Sequence, residues 1–343
     1  MQSLTKYSLM SLLLTATLLL TNCQNQIVWN EDQYINPVYS HEFPDPSVYR
    51  DEDGVYWVFA TEGGYASSVN LVDWTYEGNV FITAGSPLWG SNGAHVWAPD
   101  VVKIGDTYLY YYALSAWGDS NPGIGYCYTD DLKSGIWHSG GKLFDSQEIG
   151  VHNSIDPQVM AIDGKVYLLW GSFNGIYRVE LTIDGRNLLG GIETARKNKV
   201  YLASSAFEGV YVSRINNFYY MFLSSGSCCQ GLASTYRVSV FRSESFTGPF
   251  IGPDGQSSTT SGGLVILESS AYFKGPGHCA VTLDDVGQSW MVYHSYSIDS
   301  PNRRLLMIDQ IYFDDEGWPL IINNIPSQEE QFGPKIILNE DNL

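Results

Sequence analysis

Short runs of alternating apolar and polar positions fill most of the chain, which is the pattern of half-buried β-strands and not of helices. Five segments repeat one layout. In each, an anchor residue is followed about three positions later by a strand former such as valine, then by a turn and an aromatic-rich strand. The anchors are Asp45, Ala98, Asp156, Glu208 and His278. Turn residues such as Asp53-Gly54 and Asp163-Gly164 join the strands, so each segment predicts a β-hairpin.

The spacing of the hairpins predicts the fold. Successive anchors lie 53, 58, 52 and 70 residues apart, and a further pair of short strands follows most hairpins. Four strands in each of five units predict an all-β chain that folds as a single five-bladed β-propeller with four-stranded blades and a central channel. A long β-sandwich is the competing fold, but it does not predict a repeat of the whole hairpin with its anchor. We assign residues 37–343 to the propeller.

The N-terminus has a different character. An apolar run from Leu9 to Leu20 follows an early lysine and ends just before Cys23, and it is too short to span a bilayer comfortably. It is typical of a secretory signal peptide, and its end resembles a bacterial lipoprotein signal, in which the cysteine is lipidated. We therefore expect a signal peptide over residues 1–22 and a linker over 23–36. The mature protein would be exported to the outer membrane or periplasm with a lipid on Cys23, or otherwise secreted.

Charge and composition narrow the choice of partner. The net charge is −19, with 37 acidic against 18 basic residues, which argues against nucleic acid and other polyanions as partners. The 24 tyrosines and 10 tryptophans present flat apolar faces with a polar edge that suit sugar rings, although we expect most of them to fill the core. Cys228 and Cys229 are adjacent, and this spacing is compatible with a disulfide bridge or with two thiols.

The predicted propeller brings distant anchors together, because the innermost strand of each blade runs along the channel. Three carboxylates and a histidine then share one pocket: Asp45, Asp156, Glu208 and His278. Carboxylates crowded in a partly desolvated pocket raise one another's pKa, which allows a protonated acid and an ionised base at one pH. Glycoside hydrolysis requires that pair. Candidate substrate-binding residues lie beside anchors or at inner-strand ends: Trp97, Ser172 and Asn174.

Several motifs resemble those of one enzyme family, in the same order along the chain. They are "WAPDVVKIGDTYLYYYALS" (97–115), "IDPQV" (155–159), "AFEGVYV" (206–212), "CCQGLASTYRVSVFRSESFTGPF" (228–250), "GPGHCAVT" (275–282) and "DDEGWPL" (314–320). Over residues 40–325 the chain resembles glycoside hydrolase family 43, and within it the endo-arabinanases. Two positions depart from the family pattern: Pro44 stands where a histidine is usual, and Val210 stands where a proline often follows Glu-Gly.

The resemblance implies a role for each candidate. Asp45 matches the general base that activates water, and Glu208 matches the general acid. Asp156 matches the residue that orients this acid and raises its pKa. His278 matches a histidine that helps to hold a calcium ion near the axis, largely through waters. Family members of this kind cleave α-1,5-linked L-arabinofuranose chains of arabinan with inversion at the anomeric carbon.

Two other functions remain open beside an endo-arabinanase. An exo-acting α-L-arabinofuranosidase or β-xylosidase uses the same chemistry in a pocket that is closed at one end. A non-catalytic glycan-binding propeller uses the acids only to grip hydroxyl groups. We therefore expect a monomer that hydrolyses arabinan or arabino-oligosaccharides from within the chain, with these two functions as alternatives.

Overall fold

Strands dominate the structure, a computed structural model that describes residues 33–337. The predicted signal peptide, Cys23 and residues 24–32 of the predicted linker lie outside the described residues. Two short strands, β1 (Gln33–Tyr34) and β2 (Tyr39–Glu42), precede the first of five antiparallel sheets. The sheets are the blades of a five-bladed β-propeller, which confirms the predicted fold.

Within each blade, consecutive strands pair in chain order. Blade 1 contains β3 (Ser47–Arg50), β4 (Tyr56–Phe59), β5 (Gly64–Ser68) and β6 (Thr75–Asn79). Blade 2 contains β7 (His95–Ile104), β8 (Thr107–Ser115), β9 (Gly123–Thr129) and β10 (His138–Asp145). Blade 3 contains β11 (Gln158–Ile162), β12 (Lys165–Trp170), β13 (Ile176–Leu181) and β14 (Val200–Ala203). Blade 4 contains β15 (Phe207–Ile215), β16 (Phe218–Ser225), β17 (Arg237–Ser243) and β18 (Leu264–Leu267). Blade 5 contains β19 (Phe273–Leu283), β20 (Ser289–Ser297) and β21 (Ser300–Phe313).

The other elements are short. Two more strands are β22 (Pro319–Leu320), which pairs with β21, and β23 (Gln331–Phe332), which pairs with β1. The helices are α1 (Phe81–Ala84), α2 (Ser146–Ile149) and α3 (Gly191–Asn198). Single 3₁₀ turns lie at Thr61–Gly63, Leu132–Ser134, Gly231–Ala233 and Ile322–Asn324. Across residues 33–337 we find no helix with the length and apolar character needed to cross a membrane.

An aspartate shapes the first hairpin turn in blades 1 and 5. Asp51 Oδ1 accepts hydrogen bonds from the amides of Asp53 and Val55, and its Oδ2 accepts one from Trp57 Nε1. Asp284 makes the corresponding three bonds in blade 5. The carboxylate satisfies turn amides that the strand ladder leaves unpaired, and it ties the turn to an aromatic residue of the next strand.

The first strands of the five blades surround the central axis. They contact one another around the ring, from β3 through β7, β11, β15 and β19 back to β3. Ser47 Oγ donates to Asp100 Oδ1 at 3.0 Å, and the amide of Val159 donates to Asp100 Oδ2 at 2.7 Å. The Asp100 carboxylate therefore connects three adjacent blades below the level of the anchors.

The N-terminal strand closes this ring. β2 is the fourth strand of blade 5, where it pairs with β21, so strands from the N-terminal and C-terminal parts of the described residues build one blade. Asn36 is buried, donates from Nδ2 to Ile308 O at 2.7 Å and accepts from Ile308 N at 3.0 Å. Residues 33–36, which the sequence analysis placed in the linker, thus contact the propeller directly. The two partners are 272 residues apart, a separation that local sequence patterns do not reveal.

Hydrophobic clusters fill the five spaces between adjacent blades, one cluster in each space. Aromatic side chains of the second strands are buried there, among them Tyr110 and Tyr112 of β8 and Trp290 of β20. Flat, rigid side chains bury a large area for little loss of conformational freedom. They hold neighbouring blades in a fixed relation, which in turn fixes the positions of the anchors around the channel.

Candidate active site

The anchors share one backbone conformation. Four have a left-handed φ: Asp45 (55°), Ala98 (40°), Asp156 (58°) and His278 (49°). This region is uncommon for residues other than glycine. In blade 4 the same conformation falls on Gly209 (φ 56°), the residue after Glu208. Glu208 is therefore one residue out of register with the other anchors.

A hydrogen bond between blades fixes each of four such positions. The amide of the left-handed residue donates to a side chain of the preceding blade: Asp45 N to His294 Nδ1 (3.0 Å), Ala98 N to Thr61 Oγ1 (3.0 Å), Gly209 N to Asp156 Oδ2 (3.1 Å) and His278 N to Ser224 Oγ (2.8 Å). Because each bond crosses a blade boundary, the geometry of the pocket follows from the closure of the ring.

The Asp45 carboxylate is buried beside a cation. Arg304 Nη1 donates to both carboxylate oxygens, at 2.9 and 3.0 Å, and Thr61 Oγ1 donates to Oδ2 at 2.6 Å. Burial alone would raise the pKa of Asp45, but the Arg304 guanidinium, then the neighbouring imidazoles of His278 and His294, and last the Thr61 hydrogen bond hold this pKa well below its usual range. Asp45 is therefore ionised at neutral pH.

Two histidines also lie beside Asp45. The Nδ1 atoms of His294 and His278 are 3.3 and 3.6 Å from Asp45 Oδ1. Burial lowers the pKa of both imidazoles, that of His294 to about 3, so both are neutral at pH 7. The hydrogen bond from the Asp45 amide to His294 Nδ1 requires an unprotonated nitrogen and agrees with this state. Arg304 is thus the cation that balances the negative charge of Asp45 at pH 7.

Glu208 has the opposite electrostatic environment. Its side chain is buried, Ser172 Oγ donates to Oε2 at 2.6 Å, and the Tyr236 hydroxyl also hydrogen-bonds to the carboxyl group. Burial raises the pKa of Glu208 by more than the Ser172 and Tyr236 hydrogen bonds lower it. Glu208 therefore keeps its proton to a higher pH than an exposed glutamate.

Asp156 lies next to both groups. It is buried, and its Oδ2 accepts the hydrogen bond from the amide of Gly209, the neighbour of Glu208. Burial, and then the negative charges of Glu208 and Asp45, raise the pKa of Asp156 well above its usual value. The three carboxyl groups thus share one buried pocket. An ionised carboxylate and a protonated carboxylic acid in one pocket are the two groups that glycoside hydrolysis requires.

The three candidate substrate-binding residues have different surroundings. Trp97 is half-buried, and its ring lies 5.7 Å from that of Trp117, which is 81% exposed. Ser172 is buried, and its hydroxyl is engaged by Glu208 and by Asn153 Nδ2 at 2.9 Å. Asn174 is exposed and donates to Ser172 O at 3.2 Å. Trp97 and Asn174 are thus accessible, whereas Ser172 acts on the carboxyl group of Glu208.

Comparison with known proteins identifies the family. The model of Glycosyl hydrolases family 43 matches residues 34–319. The chain belongs to this family. The family predicted from the sequence motifs is therefore confirmed, and the protein is a glycoside hydrolase.

Similar family 43 proteins carry arabinan-related names. A probable arabinan endo-1,5-alpha-L-arabinosidase C from Aspergillus niger is 32% identical over 299 residues, which cover 81% of this chain and 91% of that protein. An extracellular exo-alpha-(1->5)-L-arabinofuranosidase from Cellvibrio japonicus is 29% identical over 301 residues, with coverage of 81% and 85%. A solved Cellvibrio cellulosa alpha-L-arabinanase complexed with arabinohexaose superposes with a TM-score of 0.73 at 26% identity and covers 82% of this chain and 95% of that chain.

Sequence reasoning missed several residues of this family 43 site. Arg304, Thr61 and Tyr236 touch the candidate carboxyl groups but do not occupy anchor positions, so the repeat gave no reason to select them. Tyr236 lies in the Ser-Thr-Tyr motif that contributed to the family resemblance. The only indication of Arg304 in the sequence was its positive charge in a strongly acidic chain. This indication is weak, because 18 basic residues share it.

The structure settles the state of the adjacent cysteines. Cys228 and Cys229 form a disulfide, the first of the two options that their spacing left open. The bridge lies at the site, because Arg304 Nη1 is 3.9 Å from Cys228 Sγ.

The calcium prediction depends on His278. Within residues 33–337 no three His, Cys, Asp or Glu side chains are grouped so that they could hold a metal ion. Calcium prefers six to eight oxygen ligands, so the side chains present do not form a calcium site by themselves. Water-mediated calcium at His278 stays a prediction.

Removal of Arg304 tests the charge balance of the pocket. The substitution Arg304→Gln leaves the buried Asp45 carboxylate without its counter-charge, and we expect it to lower the free energy of unfolding by about 3–5 kcal/mol. Chemical denaturation at pH 7 measures this loss. Adding Asp45→Asn to Arg304→Gln should recover a large part of it, because no uncompensated charge then remains.

The matched control breaks a solvent-exposed ion pair. Lys133 and Asp53 form an exposed pair with a 2.6 Å separation of Nζ and Oδ2, and Lys133→Gln should change stability little. If Arg304→Gln were as stable as Lys133→Gln, Arg304 would not be the group that balances Asp45.

Proposed function

We propose that this family 43 glycoside hydrolase is an exported endo-1,5-alpha-L-arabinanase that cleaves arabinan with inversion. The observation that carries the proposal is the burial of Asp45 and Glu208 in one pocket, where the pKa of Asp45 is held low beside Arg304 and the pKa of Glu208 is raised by burial. The names of its relatives support arabinan as the substrate, and one related structure is described as a complex with arabinohexaose. Relatives described as extracellular support export.

Each carboxyl group then has one task in the reaction. Asp45 accepts a proton from a water molecule while the water oxygen bonds to the anomeric carbon. This water becomes more acidic as its bond forms, so a carboxylate of low pKa suffices to take its proton. Glu208 transfers its proton to the glycosidic oxygen as the bond to the anomeric carbon breaks. Asp156 accepts the hydrogen bond from the amide of Gly209 and so orients Glu208. The pKa-raising role that the family resemblance implies for Asp156 stays a prediction.

Arg304 and Ser172 support these two groups without taking part in proton transfer. Arg304 fixes the orientation of the Asp45 carboxylate through bonds to both oxygens. Ser172 fixes the orientation of Glu208 through a hydrogen bond to Oε2. Calcium has no step in this mechanism. Calcium held at His278, a lipid on Cys23 and a monomeric state stay predictions.

The size of the products distinguishes the endo function from its alternatives. Incubation with debranched arabinan should release a mixture of arabino-oligosaccharides early in the reaction, which chromatography of the products measures. Release of one short product alone would support the exo alternative, which the name of the Cellvibrio japonicus relative also favours. Hydrolysis of xylo-oligosaccharides instead would indicate a β-xylosidase. Binding of arabinan without any product would indicate a glycan-binding protein.

The substitution Glu208→Gln tests the acid. We expect it to lower kcat on linear arabinan by about 10²–10⁴-fold, because the leaving oxygen then receives no proton. On a nitrophenyl arabino-oligosaccharide, whose leaving group needs little protonation, the loss should be much smaller. Steady-state kinetics on both substrates measure the difference. An equal loss on the two substrates would contradict the assignment of Glu208 as the acid.

The pH profile tests the Ser172–Glu208 contact. Ser172 donates to the ionised form of Glu208 and so lowers its pKa. Without this bond the pKa of Glu208 rises, the acid stays protonated to a higher pH, and the alkaline limb of the kcat/KM profile moves to higher pH in Ser172→Ala. Ser67 makes a similar 2.6 Å bond to Glu77 on the outer part of blade 1, so Ser67→Ala is the matched control. A shift toward lower pH in Ser172→Ala would refute the contact's role.

A further inference from the structure

The hydrogen bonds between blades at the anchor level leave one boundary open. Side chains of blades 5, 1, 3 and 4 accept bonds from the amides of Asp45, Ala98, Gly209 and His278. Among residues 33–337 the amide of Asp156 makes no such bond to blade 2. The bonds therefore run from blade 3 through blades 4, 5 and 1 to blade 2, and the boundary between blades 2 and 3 stays open at this level.

The side chain of Asp100 bridges the open boundary from below. Asp100 lies on β7, two residues after the anchor Ala98, and is 6% exposed. Its Oδ2 accepts from the amide of Val159 in blade 3 at 2.7 Å, and its Oδ1 accepts from Ser47 Oγ in blade 1 at 3.0 Å. Ser47 follows Asp45 by two residues, and Val159 follows Asp156 by three. One carboxyl group thus connects the strand after the proposed base with the strand after Asp156.

The next boundary shows what a bridge in this layer does when the anchor level is already closed. Gln158 Oε1 accepts from the amide of Val212 at 2.8 Å, and Gln158 Nε2 donates to Val212 O at 2.9 Å. These bonds join blades 3 and 4, which the bond from Gly209 N to Asp156 Oδ2 also joins. The boundary between blades 3 and 4 therefore has two levels of bridging near the axis, whereas the boundary between blades 2 and 3 depends on Asp100.

A carboxyl group is a costly choice for this buried position. No cation contributes to its electrostatic environment among the described residues, and burial raises the pKa of Asp100 to about 7 against the hydrogen bonds from Val159, Ser47 and Val101. The surroundings therefore do not stabilise the negative charge. What the position uses is a pair of oxygens on one short side chain, which bond to two different blades at once.

We propose that Asp100 is a positioning residue that sets the separation of the proposed base Asp45 from Asp156 and Glu208. In an inverting hydrolase the base and the acid lie roughly 6.5–9.5 Å apart, so that the attacking water fits between the base and the anomeric carbon. A displacement of about 1 Å in such an arrangement costs up to about 10²-fold in rate. Asp100 touches neither the substrate nor the reacting atoms and acts through blades 1 and 3. This role rests on the proposed acid–base hydrolysis.

The substitution Asp100→Ala removes both bonds and leaves space for a water molecule at the Val159 amide. We expect kcat on linear arabinan to fall about 10–100-fold, with little change in KM, because Asp100 is buried below the pocket. Asp100→Asn should recover most of kcat, since its oxygen can accept from the Val159 amide while its NH2 group donates to Ser47 Oγ. Steady-state kinetics measure both constants, and chemical denaturation measures the stability of each variant.

The matched control is Gln158→Ala, which removes the bridge between blades 3 and 4 and leaves the Gly209–Asp156 bond in place. It should lose a comparable amount of stability and keep kcat nearly unchanged. An equal loss of kcat in Asp100→Ala and Gln158→Ala would indicate general loosening of the fold and overturn the role of Asp100. Asp100→Asn as slow as Asp100→Ala would overturn it as well, since the two bonds are then not what the reaction requires.

A second variant covers the case in which Asp100→Ala does not fold. Asp100→Ser has one oxygen in place of two, so it cannot bridge two blades in the same way, and we expect the same loss of kcat. An active unmodified enzyme with unchanged kcat in these variants would overturn the role of Asp100 alone. An unmodified protein that hydrolyses neither linear arabinan nor a nitrophenyl arabino-oligosaccharide would overturn the proposed function, and the role of Asp100 with it.

Discussion

The pocket depends on hydrogen bonds that cross from one blade to the next at the start of the first strands. The bond from the Asp45 amide to His294 Nδ1 is the one that joins blade 1 to blade 5. Strand β2 ends at Glu42, and the amide of Phe43 donates to Arg304 O at 2.8 Å. The chain that closes the ring therefore leads directly into the proposed base. Arg304, His278 and His294, which lie beside this base, come from the blade that β2 completes. The contacts that close the ring are therefore the same contacts that assemble the pocket.

One cation among three buried carboxyl groups explains why they differ. Arg304 bonds to both oxygens of Asp45, so the negative charge of the pocket is most stable there. Asp156 and Glu208 are buried without an equally close cation among the described residues, and the charge of Asp45 raises the pKa of both. The position of a single guanidinium therefore determines which of the three carboxyl groups has the low pKa. Neutral histidines beside Asp45 leave this balance intact, because they add no second positive charge.

The sequence predicted the parts of the site that repeat. Hairpins, turns and anchors recur at regular spacing, and the closed ring turns that spacing into proximity, so Asp45, Asp156 and Glu208 could be selected before any coordinates were known. The pairing of β2 with β21 joins distant parts of the chain, and no local pattern marks it. Arg304 lies on the third strand of its blade, away from every anchor, and reaches Asp45 only because β2 brings blade 1 against β21. Its role follows from tertiary structure alone.

The left-handed backbone around the channel occurs together with hydrogen bonds between adjacent blades. Ala98 has the same φ as the catalytic candidates but carries no functional group, and its amide bonds to Thr61 of the preceding blade. The strain at the anchors is therefore required by the ring, and the carboxylates occupy positions that the architecture had already fixed. Phe173 (φ 50°) is not an anchor, but its amide donates to Phe207 O of blade 4, so this bond also crosses a blade boundary. The contacts that close the ring therefore fix the loop beside Glu208 as well as the anchors.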